Sequence, residues 1–190
     1  MSARVRSERL GPLDAAAWVV PVVIGLILFF VRRAIVGTGF QVPALLEIYA
    51  VLAAMSVAVP LPDDRNRILP VPVVLAAGIA AFVAVTLVTH PVARLPHGPE
   101  VLALNTVAAF SEEAFFRRLV YGVVAPRGVM LAVVGSAVLF AAVHVPFYGS
   151  AVFWVDLGAG LVLGWQRWAS GSWVTSGATH ALANALAVLR

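Results

Sequence analysis

The stretch EVLALNTVAAFSEEAFFRRLVYG, residues 100–122, decides the fold. It is long and apolar enough to cross a hydrocarbon core of ~30 Å, which takes ~20 helical residues. Yet it carries Glu112, Glu113 and Arg117 in its interior. An ionised side chain at membrane depth costs several kcal/mol unless it faces partners inside a bundle. The stretch therefore reads as a buried membrane helix whose polar residues turn inward.

Comparable apolar runs lie on either side, at approximately 15–31, 41–59, 70–89, 128–145, 150–169 and 172–189. Turn and charge signals separate them: Arg32-Arg33 with Gly37 and Gly39, Pro60 to Arg65, Pro91 to Pro99, Pro126-Arg127-Gly128, Pro146 to Gly149, and Ser170-Gly171. These connections are too short to hold a soluble domain. The expected fold is all-α, a polytopic transmembrane helical bundle of about seven helices. It forms a single integral-membrane domain over 1–190, with the motif-bearing core at about 100–190. Composition agrees, since 62% of the 190 residues are apolar and 12% charged, with a mean hydropathy of +0.97. Soluble domains are about half apolar and a quarter charged.

All thirteen basic residues are arginine, mostly at the ends of apolar runs. They read as topology determinants, and no basic stripe or motif points to nucleic acid. An amino terminus inside collects Arg4, Arg6, Arg9, Arg65, Arg67, Arg118, Arg127 and Arg167 on the cytoplasmic side. It leaves Arg32, Arg33, Arg94 and Arg190 opposite, and that balance is the expected orientation. The first run has no small-residue cleavage site before Arg32-Arg33 and is expected to be a retained helix. Cysteine is absent, which excludes disulfides and thiolate chemistry.

Three polar clusters interrupt the apolar runs: Glu112-Glu113-Ala-Phe-Phe-Arg117, Phe140-Ala-Ala-Val-His144 and His180-Ala-Leu-Ala-Asn184. Glu113 and Arg117 are four apart and share a helix face, so they are expected to pair. Glu112, rotated ~100° away, aligns instead with Asn105 and Phe116. It is expected to point into a cavity unpaired, with desolvation suiting it to acid–base work near neutral pH. His180 and Asn184 share a face, and Ser176 is one turn earlier on it. Together these residues suit hydrolysis by activated water. Glu112 with His144 would polarise the water, and His180 and Asn184 would donate hydrogen bonds to a peptide oxyanion. The same residues allow a metal variant, with His144, His180 and Glu112 holding a divalent ion such as Zn²⁺, though His-x-x-x-Asn is not the pattern of helical zinc peptidases.

The set Glu-Glu-x-x-x-Arg, Phe-x-x-x-His and His-x-x-x-Asn, in this order and each on its own apolar segment, resembles the CPBP family. These are the CAAX prenyl protease and bacteriocin-processing intramembrane proteases, also called Abi proteins. The resemblance implies catalytic roles for Glu112, His144, His180 and Asn184, with Glu113 and Arg117 in support. It further implies a membrane protein or hydrophobic peptide tail as substrate. A short, Lys-free chain without an organelle signal points to a prokaryotic cytoplasmic membrane.

Plainer readings attach to the same residues. Glu113 with Arg117, or His180 with Asn184, could simply join helices, and His144 could cap one. Glu47 and Asp156, with the two glutamates, could form the relay of a small proton- or cation-coupled transporter. A non-catalytic membrane adaptor or immunity protein would need none of this chemistry. Trp18, Trp154, Trp165, Trp168, Trp173 and Tyr148 read as interfacial anchors. His90 and His97, in a Pro-rich loop, are assigned no role.

Overall fold

A computed structural model describes residues 12–61, 67–88 and 98–189. Arg4, Arg6, Arg9, Arg65, Arg94, Arg190, His90, His97 and the turns at 62–65 and 91–97 lie outside the described residues. Among those described, the chain forms seven long helices and no strand. They are α1 (Pro12–Ile35), α2 (Gln41–Ala58), α3 (Val71–Val88), α4 (Pro99–Glu113), α5 (Val129–Tyr148), α6 (Val152–Ser170) and α7 (Trp173–Val188). The expected all-α bundle is the observed one.

Local chemistry explains the ends. Gly98 precedes Pro99 at the start of α4, where a missing N–H leaves no helical bond unmade. Gly171 closes α6 at φ 66°, a left-handed conformation open to glycine at little steric cost. Backbone N–H groups of Ile68 and Leu69 both donate to the Ala169 carbonyl, satisfying the end of α6.

Two elements depart from the sequence expectation. The run at 100–122 is not one α-helix: after Glu113 it continues as a π-helix over Ala114–Val120, then an α-turn over Tyr121–Val124. Six of the seven π-helical residues are buried, so this wider coil sits at the centre of the bundle, directly after the two glutamates. Such segments commonly mark functional sites. Nor does α5 stop at His144. It runs through Pro146 to Tyr148, as membrane helices can where neighbouring groups take up the freed carbonyl.

Lengths agree with a bilayer. α1 has 24 residues and so extends about 36 Å at 1.5 Å per residue. Three helices, Ala17–Ile35 within α1, α2 and α5, are long and apolar enough to cross a membrane, and α3 is a shorter apolar helix. The outer surface is apolar, with Ile24, Ile27, Phe30, Leu131, Val134, Trp154 and Val155 exposed. Polar Glu112, Glu113, Arg117, Gln166 and His180 are buried. Apolar outside and polar inside is the arrangement that lipid favours.

Close packing positions the site. At Gly160 an added Cβ would lie 3.0 Å from the Ala137 backbone, so α5 and α6 meet at the glycine surface. Gln166 on α6 donates to the Val74 carbonyl at 3.0 Å and to Thr179 Oγ1 at 2.9 Å, tying α3 and α7 to α6. The rings of Phe29, Phe115, Phe116 and Phe140 pack in series at 4.9–5.5 Å between centroids. They join α1, the π-helix and α5 beneath the polar cluster.

Candidate active site

A cavity of about 700 Å³ opens toward the end of the bundle where α1 finishes and α2 begins. Glu112, His144, His180 and Asn184 all line it, so residues up to 72 positions apart in sequence converge. Glu113 and Arg117 lie behind its wall, both side chains fully buried, with Nε 3.3 Å from Oε2. Helical geometry produces this division. Glu112 and Glu113 are one residue apart and diverge by ~100°, one toward α1 and α2, the other toward α7.

The expectation that Glu112 is unpaired is corrected. Arg32 Nη1 donates to its Oε1 at 2.7 Å, and the same nitrogen donates to the Tyr49 hydroxyl at 2.9 Å. Arg32 is therefore an internal cation and not the interfacial charge its place beside Arg33 suggests. Its guanidinium is 4.4 Å from the Phe147 ring centroid, a cation–π contact. Gly25, Phe29 and Arg32 form one buried stripe along α1, whereas Arg33 is exposed. Arg167, also counted as an interfacial charge, is buried and donates through Nε to the Arg117 carbonyl at 3.1 Å.

Both cavity histidines have a defined inner partner. His144 Nδ1 lies 2.7 Å from the Phe140 carbonyl. A carbonyl only accepts, so Nδ1 carries a proton and Nε2 is the ring nitrogen left toward Glu112. That Nε2 is 3.7 Å from Glu112 Oε2. His180 Nδ1 is 3.1 Å from Glu113 Oε1, which orients the ring and directs Nε2 away from Glu113. Arg117 donates to the Gly160 carbonyl at 3.2 Å and lies 5.0 Å from the Phe140 ring centroid. Asn184 Nδ2 donates to the Asn105 carbonyl at 3.3 Å, and Asn105 lines the cavity as its alignment with Glu112 implied.

Other residues fall out as follows. Ser176 turns from the cavity and donates to the Leu163 carbonyl at 3.0 Å. Asp156 joins the site, with Oδ2 3.7 Å from His144 Nδ1. Glu47 is exposed on α2 and is not brought to the other carboxylates. Among the described residues, no three His, Asp or Glu side chains are grouped to hold a metal ion. The Arg32 guanidinium on Glu112 also opposes a second cation there, so the residues present do not fit the metal set His144, His180 and Glu112.

A second hollow of about 550 Å³ adjoins the first. Phe140, Asp156, His180 and Asn184 border both. Its remaining wall is almost wholly apolar, including Phe82 and Val85 of α3, Trp154, Val155 and Val162 of α6, and Ala183 of α7.

The described helices thus gather two carboxylates and two imidazoles at and just behind one cavity wall, the residue types that hydrolysis by activated water requires. Residues 96–186 match the family model described as "Type II CAAX prenyl endopeptidase Rce1-like". Over those 91 of its 190 residues the chain is similar to that family of endopeptidases. The match contains Glu112, Glu113, Arg117, His144, His180 and Asn184, while Arg32 and Tyr49 precede it. No curated protein and no solved structure matches the chain.

Proposed function

We propose that this protein is an intramembrane endopeptidase that cuts a membrane-associated protein or hydrophobic peptide tail with a water activated by Glu112 and His144. The observation that carries this reading is the 3.7 Å gap between Glu112 Oε2 and His144 Nε2 on the cavity wall. It is wide for a direct hydrogen bond and suited to a water held by both. In this mechanism His144 acts as a neutral imidazole, so its Nε2 and the Glu112 carboxylate both accept from the water. As the water attacks the scissile carbonyl, its proton passes to this pair and later to the departing amine. His180, as an imidazolium that keeps Nδ1–H on Glu113 and offers Nε2–H, and the second N–H of Asn184 face the developing oxyanion, where one donor contributes about 10²–10³ in rate. Glu113 with Arg117 holds His180 from behind. The step needs no metal, and the Arg32 charge at Glu112 supports that form of the mechanism.

The apolar hollow beside His180 and Asn184 supports a substrate with an apolar segment that reaches the site sideways from the bilayer. Arg32 and Arg167 leave the charge balance by one residue on each side, so the amino terminus inside remains the proposed orientation. A prokaryotic cytoplasmic membrane is the proposed location.

The test is co-expression of the wild-type chain, Glu112→Ala, His144→Ala or His180→Ala with a panel of tagged single-span membrane-tail reporters. Immunoblot and intact mass follow the product. Cleavage by the wild type alone, at equal expression and insensitive to chelator, is expected. Full cleavage by Glu112→Ala would overturn the mechanism, and loss of wild-type cleavage with chelator would overturn its metal-free form.

A further inference from the structure

We propose that Arg32, assisted by Tyr49, is a positioning residue of the hydrolytic site: it fixes one oxygen of Glu112 so that the other faces His144. The inference rests on the reading of Glu112 as the water-activating carboxylate, and it places part of that site outside residues 96–186. A glutamate has three side-chain torsions, and on the wall of a cavity this size nothing in its own helix fixes the carboxylate plane. Arg32 Nη1 does so from α1, through the 2.7 Å bond to Oε1. With Oε1 taken, Oε2 is the oxygen left toward His144 Nε2.

Arg32 is itself held on several sides, as a positioning group must be. It is 6% exposed. The Tyr49 hydroxyl accepts from the same nitrogen, and the rings of Phe147 and Phe29 lie 4.4 and 5.5 Å from its guanidinium carbon. Tyr49 is buried in α2, so α1 and α2 both reach the chemistry through this one cation. The charge matters as well as the geometry. A carboxylate buried at membrane depth needs a counter-charge, and Arg117 serves Glu113 as Arg32 serves Glu112. Each glutamate of the adjacent pair thus has its own arginine, one from a distant helix and one from the next turn.

The experiment uses the full chain purified in detergent micelles and the apolar carboxyl reagent N,N′-dicyclohexylcarbodiimide, with modified sites located by peptide mass. An ion-paired carboxylate is a poor target, and an unpaired carboxyl in apolar surroundings is a good one. Glu112 should be modified about tenfold faster or more in Arg32→Ala than in wild type. Arg32→Lys, which keeps the charge, should stay near wild type, and Glu113 serves as the internal reference. Equal modification of Glu112 in wild type and Arg32→Ala would overturn the proposal. On a reporter the wild type cleaves, Arg32→Ala should lower kcat about 10²-fold while KM changes little. Tyr49→Phe, which keeps the ring and packing, should lower kcat in the same sense by less. If Arg32→Ala does not fold, Arg32→Gln takes its place in both arms. Wild-type kcat in a folded Arg32 variant, beside an inactive Glu112→Ala, would overturn the positioning role and leave the hydrolytic reading standing. Cleavage by Glu112→Ala would instead overturn the hydrolytic reading, and the labelling contrast would still report the pairing.

Discussion

Replacing Arg117 by methionine should separate stability from catalysis when combined with a second change. Arg117 and Glu113 are fully buried and 3.3 Å apart, and Glu113 also receives the His180 Nδ1 proton at 3.1 Å. Arg117→Met leaves the buried Glu113 carboxylate without its arginine and with the His180 N–H as its remaining donor. Breaking a buried pair in this way costs about 3–5 kcal/mol. Adding Glu113→Leu removes the stranded charge, so the remaining deficit is the orphaned His180 N–H, about 1–3 kcal/mol. The double variant should therefore be more stable than the single one by roughly 2 kcal/mol, the difference of those two ranges. Neither variant should cleave, because in one Glu113 has lost the arginine that fixes it behind His180, and in the other His180 has lost its acceptor. Thermal unfolding in micelles reads the first effect, at about 2–4 °C per kcal/mol for a chain of this size, and the reporter assay reads the second. The reasoning is refuted if Arg117→Met stays within about 1 kcal/mol of wild type, or if the double variant is less stable than the single.

Two other perturbations address access and orientation. A Cβ at Gly158, which borders the apolar hollow, meets nothing within 4 Å. Gly158→Leu should therefore fill that space without strain, gain up to about 1 kcal/mol in helix propensity, and raise KM for membrane-tail reporters; unchanged KM would remove the hollow from the substrate path. The chain lacks cysteine, so single cysteines report orientation cleanly. With the amino terminus inside, Ser150→Cys, at the cavity end, should react with an impermeant maleimide in intact cells, whereas Ile68→Cys, exposed at the opposite end, should not. The reverse pattern would invert the topology.

Much of this architecture is written in local composition. Apolar runs broken by Pro, Gly and Arg marked the seven helices to within a few residues, because a bilayer imposes length and apolarity on each segment separately. Polar residues inside those runs marked Glu112, Glu113, Arg117, His144, His180 and Asn184, because at that depth a polar group must turn inward. The helical period also predicted the divergence of the two glutamates, since it depends on one residue of separation within one helix.

Partnership is different. Arg32 and Glu112 are 80 residues apart, and a helix period gives a face without saying which neighbour that face meets. Arg32 therefore resembled its exposed neighbour Arg33 until α1 was packed against α2, α5 and the π-helix that follows Glu113. Asp156 came to His144, and Glu47 did not, for the same reason. The π-helix after Glu113 likewise has no mark in the local apolar pattern and is seen only in the folded chain. By itself the sequence determined the solvent, the helices and the residues that had to face inward, because those follow from each segment's transfer into lipid. Only the tertiary structure decided which charge neutralises which carboxylate, because long-range pairing depends on how seven helices pack together.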